Sequence, residues 1–243
     1  MLLALWSPKG GSGTSVVAAA LALVSAGRVD ETRLADLGGD QPAILGLPVP
    51  DCGFGSARPS EGLTGWLAAG PSMPTDCLDE MSVAVVPGLT LLPCGSDIAA
   101  DRLPEEGGAA LAVGLRDGGT AVLDAGPSRG SDQGAAFAAI EVADATLMVI
   151  RPCYLALRKA VGDPRLARSA GAILVEDPGR ALDADDVAAV LGVPVVGRVP
   201  VRAEIARAID AGVLRDRLPG PLADSTDAIL DRLADMAGGR WAA

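Results

Sequence analysis

Short apolar runs alternate with longer amphipathic or alanine-rich segments along most of the chain. The short runs predict β-strands at 2–6, 32–37, 83–86, 89–92, 120–123, 145–150, 170–175 and 193–199. The longer segments predict helices at 16–26, 63–69, 97–115, 133–142, 154–160, 184–191, 203–211 and 222–237, with a helical turn at 43–47. Strands and helices that alternate in this way favour a mainly parallel sheet with helices on both faces.

One long segment without hydrophobic periodicity, 48–62, is rich in Pro, Gly and Ser, and we predict that it is a surface loop. The chain has no internal repeat and no segment with the composition of a domain linker. We therefore expect residues 1–243 to form a single three-layer α/β domain, a size that such domains commonly reach.

The clearest motif lies between the first predicted strand and the first predicted helix. It is Ser7-Pro8-Lys9-Gly10-Gly11-Ser12-Gly13-Thr14-Ser15. Strand, glycine loop and helix form the arrangement in which backbone N–H groups hold phosphate at a helix N-terminus. In the P-loop pattern G-x-x-x-x-G-K-[ST], Gly13 and Ser15 fit, whereas Pro8 replaces the first Gly and Thr14 replaces the Lys. A glycine turn that binds no ligand is the alternative interpretation.

A strand that ends in an acid gives the first candidate metal ligand. Asp124 directly follows the apolar run 120–123, which is the Walker-B arrangement, where the acid holds Mg²⁺ directly or through water. Ser15 stands where the P-loop hydroxyl ligates the same ion. The alternative for Asp124 is an ordinary strand end without a role in a site, because many strands end in Asp.

Further acids follow other predicted strands. Asp36 ends the second strand, Asp40 lies in the loop after it, and Glu176 follows the strand at 170–175. Because the carboxyl ends of parallel strands share one edge, where ligands bind, we expect these acids and the glycine loop at that edge. Asp36 and Asp40 are both candidates for positioning an attacking water, and an ordinary turn remains the alternative for both.

The charge balance restricts the possible partners. The formal net charge is −11 and the chain contains no histidine, so the commonest general base and metal ligand is missing. A nucleic-acid surface needs a basic stripe. The best candidate for one is a cluster interrupted by acids, made of Arg198, Arg202, Arg207, Arg215 and Arg217. We expect a mixed-charge surface there and no nucleic-acid partner.

The cysteines indicate a reducing compartment. Cys52, Cys77, Cys94 and Cys153 are widely spaced, which favours mostly buried thiols in a cytoplasmic protein over a disulfide framework or a zinc site. No apolar run approaches the ~18 residues of a membrane helix. The last predicted helix carries four aspartates on its polar face, unlike the basic helices that target membranes.

The Lys9-Gly10-Gly11-x-Gly13 run resembles the deviant P-loop of the ParA/MinD family, which carries an extra lysine at this place. The resemblance covers nearly the whole chain. Asp124-Ala125-Gly126-Pro127 resembles the family's second switch segment, and 145–152 with 155–158 resembles the following strand and helix. The segment 193–212 resembles the C-terminal strand and helix. The branch that the chain resembles most is the CpaE/TadZ group, which includes actinobacterial septum-site-determining relatives.

The resemblance implies a three-layer P-loop NTPase fold and a homodimer that forms around ATP and Mg²⁺. It implies that Gly10, Gly11, Ser12, Gly13 and Thr14 hold the phosphates, with Glu176 and Pro200 also at the nucleotide. Ser15 and Asp124 would serve Mg²⁺, and Lys9 would reach the phosphates bound by the partner. The implied role is a positional switch in a pilus-secretion or cell-division assembly, with recruitment to the pole or the membrane through partners.

Three departures from the family pattern concern the expected site. Thr14 replaces the P-loop lysine, and Glu176 stands near the place where many relatives have an Asn that binds adenine. In the first switch segment, usually Asp-x-Asp, Asp36 is present but Gly38 stands at the second acid. We therefore expect hydrolysis to be slow or absent. A nucleotide-independent scaffold and a DNA-partitioning ATPase remain alternatives.

Overall fold

The computed structural model describes residues 1–48, 62–70, 73–95, 100–130, 132–236 and 238, and these form one eight-stranded sheet. The strands are β1 Leu2–Ser7, β2 Thr32–Asp36, β3 Val83–Val86, β4 Leu89–Leu92, β5 Thr120–Pro127, β6 Ala145–Ile150, β7 Gly171–Glu176 and β8 Val195–Pro200. Their order is β3-β4-β2-β5-β1-β6-β7-β8, and neighbours are parallel except in the β3–β4 hairpin. The strand that leads into the glycine loop therefore lies between β5 and β6.

Helices cover both faces of this sheet. They are α1 Thr14–Ala26, α2 Gln41–Ile44, α3 Leu63–Ala69, α4 Asp76–Met81, α5 Glu105–Asp117, α6 Ala135–Val142, α7 Tyr154–Val161, α8 Ala184–Leu191, α9 Ala203–Asp210 and α10 Gly220–Met236. Two short 3₁₀ turns lie at Ala100–Arg102 and Pro164–Arg168.

The sheet separates two hydrophobic cores. Successive side chains of a strand point to opposite faces, so Leu3 and Leu5 of β1 pack in the core of α1 and α10. Leu2, Ala4 and Trp6 pack in the core that contains α5, α6 and α8. Because both faces are covered, the parallel strands are continuous apolar runs without alternation. The predicted three-layer α/β fold with a mainly parallel sheet is confirmed.

Several element boundaries differ from the prediction. The first helix begins at Thr14 and not at 16, because Gly13 is its N-cap. The helix predicted from 97 begins at Glu105, after the first 3₁₀ turn. β5 continues to Pro127, past the predicted end at 123. The short helix α4 was not predicted, because Leu78 is its one buried residue and leaves little hydrophobic pattern.

The predicted surface loop at 48–62 and Cys52 lie almost entirely outside the described residues. Cys77 and Cys153 are free thiols and, like Cys94, are partly buried, whereas the sequence predicted mostly buried cysteines.

The C-terminal helix α10 packs against β8 and α1. Its apolar positions, including Leu222, Ile229 and Leu233, are buried. A Cβ atom on Gly197 of β8 would lie 2.1 Å from Ile229 Cγ1, so glycine at this position lets the helix lie directly on the strand. Arg28, after α1, forms ion pairs with Asp227 and Asp231 of α10. Among the described residues, no helix is long and apolar enough to cross a membrane.

Candidate functional site

The glycine loop connects the carboxyl end of β1 to the N-terminus of α1. Gly11 and Gly13 have φ angles of +74° and +94°, in the left-handed region that side chains with a Cβ rarely adopt. Gly13 is the N-cap of α1, and its carbonyl accepts a hydrogen bond from Val17 N (3.0 Å). Ser12 Oγ donates to Lys9 O (2.8 Å), which closes the loop on itself. The loop is thus held by its own backbone and hydroxyl groups.

The concave side of this loop has room for an anion. A Cβ atom on Gly10 or on Gly11 would meet no atom of the described residues within 4 Å. Within the same residues, no side chain caps the N-terminus of α1, so its first backbone N–H groups keep their donor capacity. Exposed donors, a glycine cradle and the positive end of a helix dipole together suit a phosphate group. The residues present therefore fit a nucleotide phosphate.

Lys9 and Thr14 lie at the two ends of the cradle. Lys9 is partly buried, and its carbonyl also accepts from Ser7 Oγ (3.1 Å). Thr14 is only 5% exposed. The cradle therefore has a cation before its glycines and a short neutral side chain where a P-loop lysine would stand.

Two buried carboxylates lie beside the loop at the ends of neighbouring strands. Asp36 of β2 and Asp124 of β5 are paired in register, and both are 0% exposed. Asp124 Oδ1 accepts from Gly126 N (3.0 Å), and the side chain of Ser15 hydrogen-bonds to the same carboxylate. The predicted Ser15–Asp124 pair is thus in contact at the start of α1.

Burial dominates the electrostatics of these acids. It raises the pKa of Asp36 from 3.8 to about 7, and the charge of Asp124 adds to the rise, while the N–H groups of Gly39, Gln41 and Gly38 oppose it. Burial also raises the pKa of Asp124, and hydrogen bonds from Ser15 and Gln41 counteract the rise. Two desolvated carboxylates side by side are stabilised by a nearby cation.

The donor set suits a hydrated ion. Among the described residues, no group of three or more His, Cys, Asp or Glu side chains could hold a metal ion by itself. Mg²⁺ keeps several waters and is usually bound through one or two protein ligands together with substrate phosphates. Ser15 and Asp124 next to a phosphate cradle fit that kind of site.

Asp36 and Asp40 have different environments. Asp36 Oδ1 accepts from Gly39 N (2.6 Å) and Oδ2 from Gln41 N (3.1 Å), so backbone groups occupy both oxygens. Asp40 is the exposed N-cap of α2, and its negative charge is one of the causes that raise the pKa of Asp124. Asp40 therefore has the carboxylate that can face a water.

Sequence reasoning missed Gln41, which lies at the centre of this cluster. Its side chain is 0% exposed, and Nε2 donates to Ser15 O (2.9 Å) and to Asp124 Oδ2 (2.8 Å). The available signal was Pro42, which marks a helix start and so predicts that Gln41 lies at the beginning of a helix.

Gly38 stands at the position of the second Asp in the expected Asp-x-Asp pattern. Two loops approach each other closely at this position, which explains why a glycine is there. A Cβ atom on Gly38 would lie 3.1 Å from Asp124 Oδ2, and one on Gly126 would lie 3.2 Å from Gly38 Cα. A carboxylate at position 38 would thus crowd the buried acid in this arrangement.

The loop after Asp124 is fastened at Ser128. Ser128 N donates to Ser7 O (2.7 Å), and its hydroxyl bonds to Asp163 and accepts from Arg165 Nη1 (2.7 Å). Arg165 is buried and also pairs with Asp101 (2.6 Å). This ion-pair cluster, which includes a 3₁₀ turn that the sequence did not predict, holds the loop after Asp124 against β1.

Glu176 and Pro200 lie further along the same edge, on β7 and β8. They are paired in register, and Glu176 Oε1 accepts from Arg198 Nη1 (3.3 Å). Val175 of β7 lies beside the glycine loop, since its Cγ2 would lie 3.6 Å from a Cβ atom on Gly13. The structure thus brings Lys9–Ser15, Asp36 and Asp124 together and leaves the Glu176 carboxylate bonded to Arg198.

Comparison with known proteins identifies the fold. No protein-family model and no curated protein matches the chain. A ParA family ATPase from Chlorobium tepidum is 21% identical at a TM-score of 0.73, with 94% of this chain and 98% of that chain covered. Septum site-determining protein MinD from Pyrococcus horikoshii, complexed with Mg-ADP, is 17% identical (TM-score 0.73; 98% and 97% covered). Aquifex aeolicus MinD in the MinC:MinD complex is 19% identical (TM-score 0.74; 96% and 96%). The chain therefore has the fold of the MinD and ParA ATPases.

Proposed function

We propose that this chain is a positional switch of the MinD/ParA family that binds ATP and Mg²⁺, forms a homodimer around them and hydrolyses ATP slowly or not at all. The observation that carries the proposal is the open glycine cradle at the N-terminus of α1, with the Ser15–Asp124 pair directly beside it. A purely structural turn would not need two buried carboxylates next to it.

In this proposal residues 10–15 hold the phosphates, and Ser15 with Asp124 holds Mg²⁺. Asp40 positions the attacking water, because Asp40 is exposed whereas Asp36 is 0% exposed. Lys9 reaches the phosphates bound by the partner. Pro200 and the end of β7 border the base. Glu176 takes part there only if Arg198 releases its carboxylate. Residues 1–243 then act as one P-loop domain.

The structural neighbours support a positioning role. One is a septum site-determining protein solved with Mg-ADP, and another is a MinD in complex with its partner MinC. We propose that this chain works in the same manner in placing a Tad/Flp-type pilus secretion machine or the division septum, as the resemblance to the CpaE/TadZ branch suggests. A fluorescent fusion that marks the pilus base or the septum would separate these two roles.

A nucleotide-independent scaffold is the second candidate function. Thr14 favours it, because a short neutral side chain replaces the lysine that stabilises charge on the phosphates. A DNA-partitioning role is less favoured, because Arg198 bonds to Glu176 and Arg215 pairs with Asp216, which reduces the basic character of that surface.

Calorimetric titration with ATP and Mg²⁺ tests the proposal. We expect weak but measurable binding to the wild-type chain and weaker binding to Asp124→Ala, because the variant loses a metal ligand. Asp117→Ala, which removes an exposed acid at the end of α5, is the matched control and should bind like wild type. Absence of wild-type binding at millimolar ATP would reject the switch and leave the scaffold.

A further inference from the structure

Gln41 is fully buried, yet one end of its amide has no partner. Nε2 makes two hydrogen bonds, to Ser15 O and Asp124 Oδ2, whereas Oε1 has no partner among the described residues. Buried side-chain oxygens nearly always have a partner in native proteins, in the protein or in ordered water. This one lies next to the two residues that would hold Mg²⁺.

The orientation of the amide is determined by its neighbours. Both atoms that contact Nε2 are acceptors, one a carbonyl oxygen and one a carboxylate oxygen. Reversal of the amide would bring Oε1 against these two oxygens and would forfeit both hydrogen bonds. The unpartnered atom is therefore the acceptor, and what it needs is a donor.

The backbone of Gln41 fixes the side chain in this place. Gln41 is the first residue of α2, and its N–H donates to Asp36 Oδ2 (3.1 Å). One residue thus connects the end of β2, the first turn of α1 and the carboxylate at the end of β5. The side chain of Gln41 thus forms a direct hydrogen-bonded link between the Asp124 carboxylate and α2.

We propose that Gln41 is a positioning residue of the Mg²⁺ site: Nε2 holds the Asp124 carboxylate, and Oε1 accepts a hydrogen bond from a metal-bound water. The inference rests on the proposed function. Magnesium in such sites keeps several waters, and each of these is a donor. Acceptors behind the ligands orient them, and removal of such a group typically lowers metal affinity.

The test compares ATP affinity in excess Mg²⁺ with ATP affinity in EDTA, measured by calorimetry on the full chain. Gln41→Met keeps the length of the side chain but removes both polar ends. We expect the ratio of the two affinities to fall roughly 10- to 100-fold, with the affinity in EDTA little changed. Gln41→Asn retracts the amide by one methylene and should show the same loss, which covers the case in which the methionine variant fails to fold.

Thr32→Val is the matched control. Thr32 Oγ1 is also buried without a partner, but it lies at the opposite end of β2 from Asp36. The control should leave the ratio unchanged. A ratio unchanged in both Gln41 variants, or equal losses in Mg²⁺ and in EDTA, would overturn the inference while the proposed function stands. A wild-type chain that binds no ATP in either condition overturns both.

Discussion

Thr14 is buried in the first turn of α1, directly next to the open side of the glycine cradle. A lysine here would reach the β- and γ-phosphates as a point charge, which threonine cannot supply. One charge-assisted contact is worth about 1.5–3 kcal/mol, which corresponds to roughly 10- to 150-fold in affinity. We expect Thr14→Lys to tighten ATP binding within that range and to raise any phosphate release.

Thr14→Ala is the comparison for this variant, and it should change binding and turnover little. The backbone amides of the cradle, the helix dipole and Mg²⁺ supply the remaining affinity. Titration and phosphate release should be measured on both variants. If Thr14→Ala abolished binding and Thr14→Lys did not improve it, threonine would be a dedicated ligand contact.

Asp36 gives a pH dependence that can be measured without ligand. Its folded pKa of about 7 lies above the unfolded value of 3.8, so the folded state binds the proton more tightly. The stability from this group is complete below about pH 4 and is lost as the pH rises through about 7. Asp36→Asn cannot ionise, and we expect it to flatten the fall in unfolding free energy between these values.

Urea unfolding in EDTA at a series of pH values checks this expectation, because EDTA removes any cation from the neighbouring carboxylate. Asp117→Asn, an exposed acid at the end of α5, serves as the control and should keep the wild-type slope. A slope that stays unchanged in Asp36→Asn would assign the pH dependence to another group.

At the residue scale, local pattern predicted part of the site and tertiary contact decided the rest. Lys9 to Ser15 follow one another in sequence, so the loop was visible as a motif. Gln41 and Arg165 act through partners far away in the chain, which no local pattern records. The bond between Glu176 and Arg198 depends on the register of β7 and β8, which only the folded sheet supplies.

At the element scale, the strands were easier to predict than the ends of the helices. A parallel strand buried on both faces is a continuous apolar run, and β1 is buried over its whole length. The start of α5 was misplaced because 100–102 forms a separate 3₁₀ turn before Pro104. Helix termini depend on caps and on tertiary contacts, and the position of a helix end is itself defined only to within one or two residues.

The contact between α10 and β8 leads to a prediction about stability. Ile229 is fully buried against Gly197, where no other residue would leave the helix enough room. Ile229→Ala removes that contact and leaves a cavity, which should lower the unfolding free energy by about 2–5 kcal/mol. Urea unfolding measures the loss. Met236→Ala, half-exposed at the end of the same helix, should change the unfolding free energy by less than about 0.5 kcal/mol.

Alanine is the best helix former, so helix propensity cannot cause a loss in either variant. An equal loss in both would mean that the contact of Ile229 with Gly197 is not what α10 contributes to stability. The predicted difference requires the apolar face of α10 to be covered by the protein itself. When the apolar face of α10 is covered, its opposite face lies in solvent, which suits acidic residues. Asp227 and Asp231 on that face pair with Arg28, and exposure of these ion pairs to solvent costs little.

At the scale of the whole molecule, the carboxylates at the carboxyl edge of the sheet differ between its two halves. The buried ones lie on β2 and β5, on one side of β1, while on the β6–β8 side Glu176 and Asp177 pair with Arg198 and Arg151. With a net charge of −11, two copies of the chain repel each other at long range. A dimer therefore needs a specific contact, and a phosphate group shared with the partner would provide one.

Lys9 is the residue that we expect to make that contact. It is one of two lysines in the chain, and it stands at the entrance of the cradle. In a two-fold dimer the contact occurs twice, so Lys9→Ala removes two charge-assisted hydrogen bonds of about 1.5–3 kcal/mol each. We expect a slowly hydrolysed ATP analogue to convert the wild-type chain to a dimer in gel filtration. The variant should require at least about 100-fold more protein to reach the same dimer fraction.

Lys159→Ala is the matched control, because Lys159 is the other lysine of the chain and is exposed on α7. It should dimerise like wild type when the analogue is present. ATP affinity of the Lys9→Ala monomer, measured by titration at a protein concentration below the dimer range, should change little, because Lys9 acts on the nucleotide of the other copy. If Lys9→Ala lost ATP affinity as a monomer, Lys9 would contact its own phosphates. If it dimerised as well as wild type, the contact between the two copies would have to come from another part of the chain.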